Sequence, residues 1–297
     1  MSQVWLITGS ASGLGRAIAD AALAADNRVI ASARNHARLD DLVVRYGEAV
    51  RAIPLDVTDE AQGVRAVQAA LDAFGRLDVL VNNAGYGESS PFEEMPPASF
   101  RRLVETVFFG TVNLTRAALP IMRRQRSGLI LQISSAGGRF AGPGQAAYHA
   151  AKWAVGGFTD SVRAEAAPFG VRLATLEPGA IRTDWGRRAY DDRPPVGQDY
   201  RASVGAAQSH LAGLWGNEPI DPEKFATLIV RLAGMDDLPA RLLIGAHILD
   251  MIEQAEDERR AELNRWRPVS EAVEYGATAS VDTVQPRAAP LSGTDAA

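Results

Sequence analysis

Short β-rich runs alternate with longer helix-type segments along most of this 297-residue chain. Apolar and β-branched residues form seven such runs: VWLIT, RVIAS, VRAIPL, LDVLVN, GLILQIS, VRLATLEP and ARLLIGA. Between them, Ala and Leu recur at helical spacing over residues 14–25, 37–46, 60–74, 100–124 and 147–167. Because crossovers between parallel strands are right-handed, this alternation predicts an α/β fold with one doubly wound parallel sheet, helices on both faces, and a ligand crevice at the carboxyl ends of the strands.

The domain organisation follows from length and composition. With 46% hydrophobic residues the chain can bury one large core, so we expect a single domain over residues 1–279. A loop over residues 184–200, rich in Arg, Asp and Pro, is a candidate lid, and its RRAYDDR part is expected to be a solvated face. Residues 280–297 are poor in aromatic side chains and are expected to form a disordered tail.

Charge and residue usage narrow the classes of function. The net charge of -5 argues against nucleic-acid and anionic-membrane partners, which require clustered Lys and Arg. The chain has no Cys, and its four His residues show no metal-ligand spacing, so thiolate catalysis is excluded and no metal is expected. No basic leader precedes the first strand-like run, and no apolar stretch reaches the roughly 18 residues of a membrane span, so we expect a cytoplasmic protein that acts on small molecules.

A glycine-rich turn, TGSASGLG over residues 8–15, joins the first predicted strand to the first predicted helix. Glycines at this place let backbone N–H groups and the helix N-terminus approach a pyrophosphate. The motif therefore predicts a dinucleotide site at Gly9, Ser12, Gly13, Leu14 and Gly15. An ordinary glycine-rich turn is the alternative, and the strand before and the helix after the motif favour the dinucleotide site.

The end of the second predicted strand bears on the choice of dinucleotide. An NAD-selective site would offer an Asp or Glu to the ribose hydroxyls here, whereas this chain has Ala33 followed by Arg34. An arginine suits the 2′-phosphate of NADP, so NADP(H) is favoured over NAD(H). A solvated arginine at the start of a helix is the alternative.

Polar residues also end the third and fourth predicted strands, at Asp56 and in the run VNNAG. Each alone could be a helix cap or an ordinary turn. Together with the glycine motif and the Tyr148-x-x-x-Lys152 spacing, they make residues 3–185 resemble the classical short-chain dehydrogenase/reductase family, and the resemblance continues loosely to about residue 275. It implies a Rossmann-type fold, hydride transfer between a nicotinamide dinucleotide and a carbonyl or alcohol, and a homo-oligomer.

The resemblance assigns catalytic roles to three residues. Tyr148 is the acid/base that protonates the carbonyl oxygen during reduction, and Ser135, thirteen residues earlier, donates to the developing oxyanion. Lys152, one helical turn after Tyr148, holds the nicotinamide ribose and lowers the phenol pKa, which is ordinarily about 10. The alternative is a helix surface that carries an unrelated Tyr and Lys.

The resemblance also implies further contacts with the cofactor. These positions are Asp56, Val57, Asn83, Ala84, Gly85, Pro178, Gly179, Ile181 and Thr183, in addition to Tyr148 and Lys152. The substrate side of the crevice is expected to include Tyr86, Phe140 and Trp185, with Phe92, Arg139 and Tyr190 as further candidates. Aromatic side chains at these positions suggest an apolar carbonyl compound, cyclic or acyl, although packing of the lid alone would also explain them.

Val107 departs from the family pattern. The family usually carries asparagine three residues before the glycine that matches Gly110, and that asparagine holds a water of a proton relay from the lysine to solvent. Valine can neither donate nor accept a hydrogen bond. Compensation by Asn113 or Thr106, another water path, and a loss of efficient turnover are the alternatives. We expect an active NADP(H)-dependent reductase of ketones or aldehydes; an NAD-linked alcohol dehydrogenase and a dinucleotide-binding regulator are the competing hypotheses.

Overall fold

The computed structural model describes residues 2–191 and 195–287, and in this part of the chain seven parallel strands form one sheet. The order is β3-β2-β1-β4-β5-β6-β7. The strands are β1 (Val4–Ile7), β2 (Arg28–Ala33), β3 (Val50–Pro54), β4 (Val79–Asn82), β5 (Gly128–Ile133), β6 (Val171–Pro178) and β7 (Arg241–Ile244). The predicted parallel sheet is confirmed. Successive strands extend the sheet to one side from β1 to β3 and to the other side from β4 onward. This change of direction between β1 and β4 places a crevice beyond the carboxyl ends of these two strands.

Helices connect the strands, and hydrophobic cores lie on both faces of the sheet. The helices are α1 (Gly13–Ala24), α2 (Asp40–Tyr46), α3 (Glu60–Phe74), α4 (Pro97–Val104), α5 (Gly110–Gln125), α6 (Ala146–Ala166), α7 (Trp185–Asp191), α8 (Ala206–Ala212), α9 (Pro222–Ala233) and α10 (Leu249–Glu271). Side chains of β1 alternate between the faces, as expected for a strand. Trp5 and Ile7 lie in the core with α1 and α9, whereas Val4 and Leu6 lie in the core with α3 and α5.

Two predicted segments differ from the structure. The helix predicted over residues 100–124 is divided into α4 and α5 by a π-helical turn, Glu105–Phe109, which a period of 3.6 residues does not reveal. The loop predicted over residues 184–200 begins with α7 and ends with a 3-10 turn, Gln198–Tyr200, while residues 192–194 lie outside the described part. The high Arg and Asp content suggested a loop, but helix-breaking prolines follow α7 rather than interrupt it.

The chain divides into two compact units, Met1–His247 and Ile248–Ala297. The sheet belongs to the first unit. In the second, α10 is followed by a turn, and the Arg287 backbone N–H donates to the Arg265 carbonyl oxygen at 2.9 Å. The single domain over residues 1–279 and the disordered tail stay predictions, and residues 288–297 of that tail lie outside the described part. No helix among the described residues combines the length and apolar character needed to cross a membrane.

Candidate active site

Three predicted catalytic residues meet beyond the end of β5. Ser135 follows that strand, and its Oγ accepts a 3.0 Å hydrogen bond from the Gly137 backbone N–H. The first two turns of α6 carry Tyr148 and Lys152, whose Nζ lies 5.7 Å from the centroid of the Tyr148 ring. The Ser135 side chain lies close enough to the Tyr148 phenol to lower its pKa by hydrogen bonding. One strand end and one helix therefore place two hydroxyls and an ammonium group together.

Burial controls the protonation of this cluster. It raises the pKa of Tyr148 to about 12, although the hydrogen bond with Ser135 acts in the opposite direction. Burial also lowers the pKa of Lys152 to about 8. Lys152 is only 7% exposed, and its Nζ donates a 2.6 Å hydrogen bond to the Ile133 carbonyl oxygen. The lowering of the phenol pKa by Lys152 stays a prediction; in the structure, burial raises that pKa.

The glycine turn between β1 and α1 has the backbone that a dinucleotide site needs. Gly9 and Gly13 have φ angles of 73° and 56°, values that side chains strongly disfavour. A Cβ at Gly15 would overlap the Gly9 carbonyl oxygen and the Asn83 amide. Ser12 precedes α1 without capping it through its side chain, which leaves the N–H groups of the first turn available to a ligand. The turn fits the pyrophosphate of a dinucleotide.

Asn83 holds this turn against the end of β4. Its Nδ2 donates to the Thr8 carbonyl oxygen at 2.9 Å. The Thr8 hydroxyl oxygen in turn accepts hydrogen bonds from the backbone N–H groups of Asn83 and Ala84, both at 2.9 Å. Asn83 thus has a structural role, and the cofactor contacts predicted for Asn83, Ala84 and the adjacent Gly85 stay predictions.

The residues predicted after β3 lie near α5. Asp56 Oδ1 accepts hydrogen bonds from the Thr58 backbone N–H at 3.0 Å and from the Thr58 hydroxyl at 2.8 Å. Val57 packs against Gly110, because a Cβ at Gly110 would lie 2.5 Å from Val57 Cγ2. The Val57 carbonyl oxygen accepts a 3.0 Å hydrogen bond from Asn113 Nδ2. These bonds order the turn that contains Asp56. The second carboxylate oxygen of Asp56 makes no hydrogen bond with any residue that the structure describes.

The residues predicted after β6 run from the end of that strand to the glycine turn, which they reach at Thr183. Pro178 is the last residue of β6. The Gly179 backbone N–H donates a 3.0 Å hydrogen bond to the carbonyl oxygen of Ile244, the last residue of β7. Ile181 forms an isolated parallel β-bridge. The side chain of Thr183 lies against the glycine turn, since a Cβ at Gly13 would be 3.6 Å from Thr183 Cβ. The segment after β6 therefore covers the N-terminus of α1.

Arg34 is exposed at the end of β2. Its guanidinium makes no hydrogen bond or ion pair with any residue that the structure describes. Arg16, on α1, is engaged by contrast: its Nε lies 2.8 Å from Asp20 Oδ2, and its Nη2 pairs with Asp41. Arg34 is thus available to an anionic group at the open end of β2.

Trp185, one of the predicted substrate-side residues, packs against the catalytic tyrosine. Its ring centroid lies 5.3 Å from that of Tyr148. Gly87 gives the indole room, a close approach that sequence reasoning missed. Tyr86 is half-buried in the cluster of apolar side chains that also contacts Tyr148, and burial raises its pKa.

Other candidates for the substrate wall are placed differently. Phe140 packs against His149, with ring centroids 5.7 Å apart, and Phe92 is 69% exposed and pairs edge-on with Phe100. Arg139 forms a 2.6 Å ion pair with Glu177, and the side chain of Tyr190 lies outside the described residues. The sequence could not rank these side chains, because loop residues equally near a motif can face either the crevice or the surface.

Val107 lies in the π-helical turn and is 1% exposed. It belongs to an apolar cluster that includes Leu103 and Ala151 and packs against Tyr148. The two suggested substitutes for the missing asparagine have other hydrogen-bond partners: Asn113 Nδ2 donates to Val57, and the Thr106 hydroxyl donates to the Arg102 carbonyl oxygen at 2.9 Å. Both donor groups are thus engaged elsewhere, and compensation for the missing asparagine stays a prediction.

Comparisons with known proteins agree with this geometry. The family model described as short chain dehydrogenase matches residues 3–194. Oxidoreductase BOA17 of Botryotinia fuckeliana is 42% identical over 271 residues, which are 91% of this chain and 98% of that protein.

Two solved structures extend the likeness to three dimensions. A short-chain dehydrogenase from Streptomyces avermitilis has 38% identity and a TM-score of 0.82, covering 92% of this chain and 98% of that one. A short chain dehydrogenase from Burkholderia cenocepacia, solved in complex with NADP, has 27% identity and a TM-score of 0.69, covering 89% and 97%. The chain belongs to the short chain dehydrogenase family, whose oxidoreductases bind nicotinamide dinucleotides.

Proposed function

We propose that this protein is an NADP(H)-dependent oxidoreductase that interconverts a carbonyl compound and its alcohol, acting chiefly as a reductase of a ketone or aldehyde. One observation carries the proposal: Ser135, Tyr148 and Lys152 converge at the crevice that the glycine turn also borders. When bound, the nicotinamide dinucleotide supplies or accepts the hydride. The protein has to orient the carbonyl group and move one proton.

The hydroxyls of Ser135 and Tyr148 are suited to bind one carbonyl oxygen, because Ser135 lies close enough to the phenol to influence its pKa. Ser135 stabilises the negative charge that develops on that oxygen, and Tyr148 gives it a proton. Because burial raises the pKa of this phenol, Tyr148 carries a proton at neutral pH and can donate it in the direction of reduction. Lys152 then stabilises the phenolate that remains.

The preference for NADP(H) rests on Arg34. Its exposed guanidinium has no partner among the described residues, and Ala33 offers no carboxylate to a ribose. The similar Burkholderia cenocepacia protein was solved with NADP. The alternative, an NAD-linked alcohol dehydrogenase, would require the ribose hydroxyls to be bound without the acidic residue that such sites use.

The substrate is proposed to be an apolar carbonyl compound, cyclic or acyl. Trp185 and Tyr86 bring aromatic surface to the cluster around Tyr148, and such surface binds apolar groups by burying them. We also propose that the protein acts in the cytoplasm as a homo-oligomer. Light scattering on the purified protein tests the oligomer.

The proposed reaction is tested by following oxidation of NADPH and NADH by the purified protein with a panel of ketones and aldehydes. Tyr148→Phe is the matched variant, because it keeps the ring and removes only the hydroxyl. We expect NADPH to be oxidised with at least one apolar carbonyl, and Tyr148→Phe to reduce turnover by at least about 100-fold. Tight NADPH binding without turnover on any carbonyl would favour the regulator hypothesis, and faster turnover with NADH would favour the NAD-linked alternative.

A further inference from the structure

The short helix α7 reaches both ends of the candidate site. Trp185, its first residue, lies beside Tyr148. Arg188, about one turn later, places Nη1 3.5 Å from the hydroxyl oxygen of Ser12 in the glycine turn. Thr183, just before the helix, also lies against that turn at Gly13. One segment therefore joins the catalytic tyrosine to the turn that fits a dinucleotide.

The guanidinium of Arg188 makes only long contacts with the residues that the structure describes. A 3.5 Å contact with a neutral hydroxyl is long for a hydrogen bond, and Arg188 Nε makes only a 3.3 Å bond to the Asp184 carbonyl oxygen. Arginine carries five N–H donors, so the described residues use only part of the hydrogen-bonding capacity of Arg188. Among the described residues no carboxylate pairs with Arg188, whereas the neighbouring Arg187 lies 3.1 Å from Asp184 Oδ1.

The charges around Arg188 bear on what kind of ligand it could bind. The N-terminus of α1 carries a partial positive charge, and the guanidinium of Arg188, which no described carboxylate pairs with, lies beside the same turn. The helix N-terminus and the guanidinium repel each other, and an anion bound between them would offset that repulsion. Guanidinium groups and helix N-termini are both common ligands of phosphate.

We propose that Arg188 binds the pyrophosphate of the dinucleotide and thereby holds α7 over the site; this inference rests on the proposed function. The pyrophosphate is the phosphate group that lies at the N-terminus of the first helix in such folds, where Thr183 already places the start of this segment. Arg34, at the end of β2, serves the 2′-phosphate instead. Part of the segment expected to be only a solvated face thus becomes a binding element.

The inference is tested by isothermal titration of NADPH and of NADH into wild type and three variants, Arg188→Ala, Arg187→Ala and Arg34→Ala. Both dinucleotides contain the pyrophosphate, so Arg188→Ala should weaken both by a similar factor, on the order of 10-fold. Arg187→Ala is the matched control, with the same charge change on the same helix, and should stay within about 2-fold. Arg34→Ala should weaken NADPH alone. Arg188→Lys should recover part of the affinity, because it restores the charge but not the planar donor pair.

Each outcome separates the two proposals. Wild-type affinities for both dinucleotides in a folded Arg188→Ala variant, checked by circular dichroism, would overturn the inference and leave the proposed function standing. A loss confined to NADPH would place Arg188 at the 2′-phosphate and overturn the assignment to the pyrophosphate. Absence of dinucleotide binding by the wild type would reject the proposed function, and the inference with it.

Discussion

Trp185 lies so close to Gly87 that a Cβ at residue 87 would be 2.6 Å from Cη2 of the indole. The same indole packs against Tyr148 at 5.3 Å between ring centroids. Gly87 thus determines where the Trp185 indole lies relative to Tyr148, the proposed acid/base. This contact joins the segment after β4 to the segment after β6, which are nearly one hundred residues apart in the chain.

Gly87→Ala should displace the Trp185 ring from Tyr148, because the added methyl group occupies space that the indole uses. We expect the KM for the best carbonyl substrate to rise by about 5-fold or more, since loss of positioning weakens substrate binding. The dissociation constant of NADPH should change much less. Steady-state kinetics and titration of NADPH measure the two effects.

A double variant controls for other effects of the added methyl group. Trp185→Phe replaces the indole with a smaller ring, so Gly87→Ala should have a smaller effect in that background. An equal rise in KM in both backgrounds would contradict a direct contact between residues 87 and 185.

Lys152→Met should remove a pH dependence of stability. Burial lowers the pKa of Lys152 from 10.5 to about 8 in the folded state, so between these pH values the unfolded chain binds more protons than the folded one. Lys152 therefore increases the free energy of unfolding of the wild type as the pH rises above about 8. Tyr148, with its pKa raised from 10.0 to about 12, acts in the opposite direction, but only above pH 10.

Thermal or urea unfolding of wild type and Lys152→Met at pH 7, 8, 9 and 10 measures the difference. The wild type should gain stability relative to the variant between pH 8 and 10, while the variant loses turnover at every pH. A constant difference across this range would mean that Lys152 titrates at the same pH in the folded and unfolded chain.

Val107→Asn tests the missing proton relay. We expect the dissociation constant of NADPH to stay nearly unchanged and the pH profile of turnover to shift, because an amide can hold a water near Lys152. The variant should also lose about 1–3 kcal/mol of stability if the amide finds no partner in the apolar cluster around Leu103. Val107→Ala is the control, since it removes apolar contacts without adding a polar group. An unaltered pH profile in a folded Val107→Asn variant would show that proton transfer does not depend on this position.

Ala33→Asp should reverse the preference between dinucleotides. A carboxylate at the end of β2 can accept hydrogen bonds from ribose hydroxyls and repels a 2′-phosphate. We expect NADPH affinity to fall by at least about 10-fold and NADH affinity to rise. Ala33→Asn supplies a similar shape without the charge, so it should weaken NADPH less. If Ala33→Asp leaves the NADPH to NADH affinity ratio at the wild-type value, the 2′-phosphate does not lie near this strand end.

The sequence determined the sheet and the chemical identity of the site residues, because both depend on local patterns. Strand-type runs such as the one at Val4–Ile7 and the regular apolar spacing of α3 reflect which side chains each element must bury. The spacing of Tyr148 and Lys152 follows from the pitch of one helix. The glycine turn follows from backbone conformations that side chains disfavour.

Tertiary structure alone decided the contacts between distant segments and the strength of burial. No local pattern relates Gly87 to Trp185 or Ser12 to Arg188, the latter separated by 176 residues. The pKa values in the cluster depend on how completely the fold removes water from it, which a sequence interval does not encode. The π-helical turn at Val107 contacts α6, which lies far away in the chain, and no local helical period reveals either the turn or that contact.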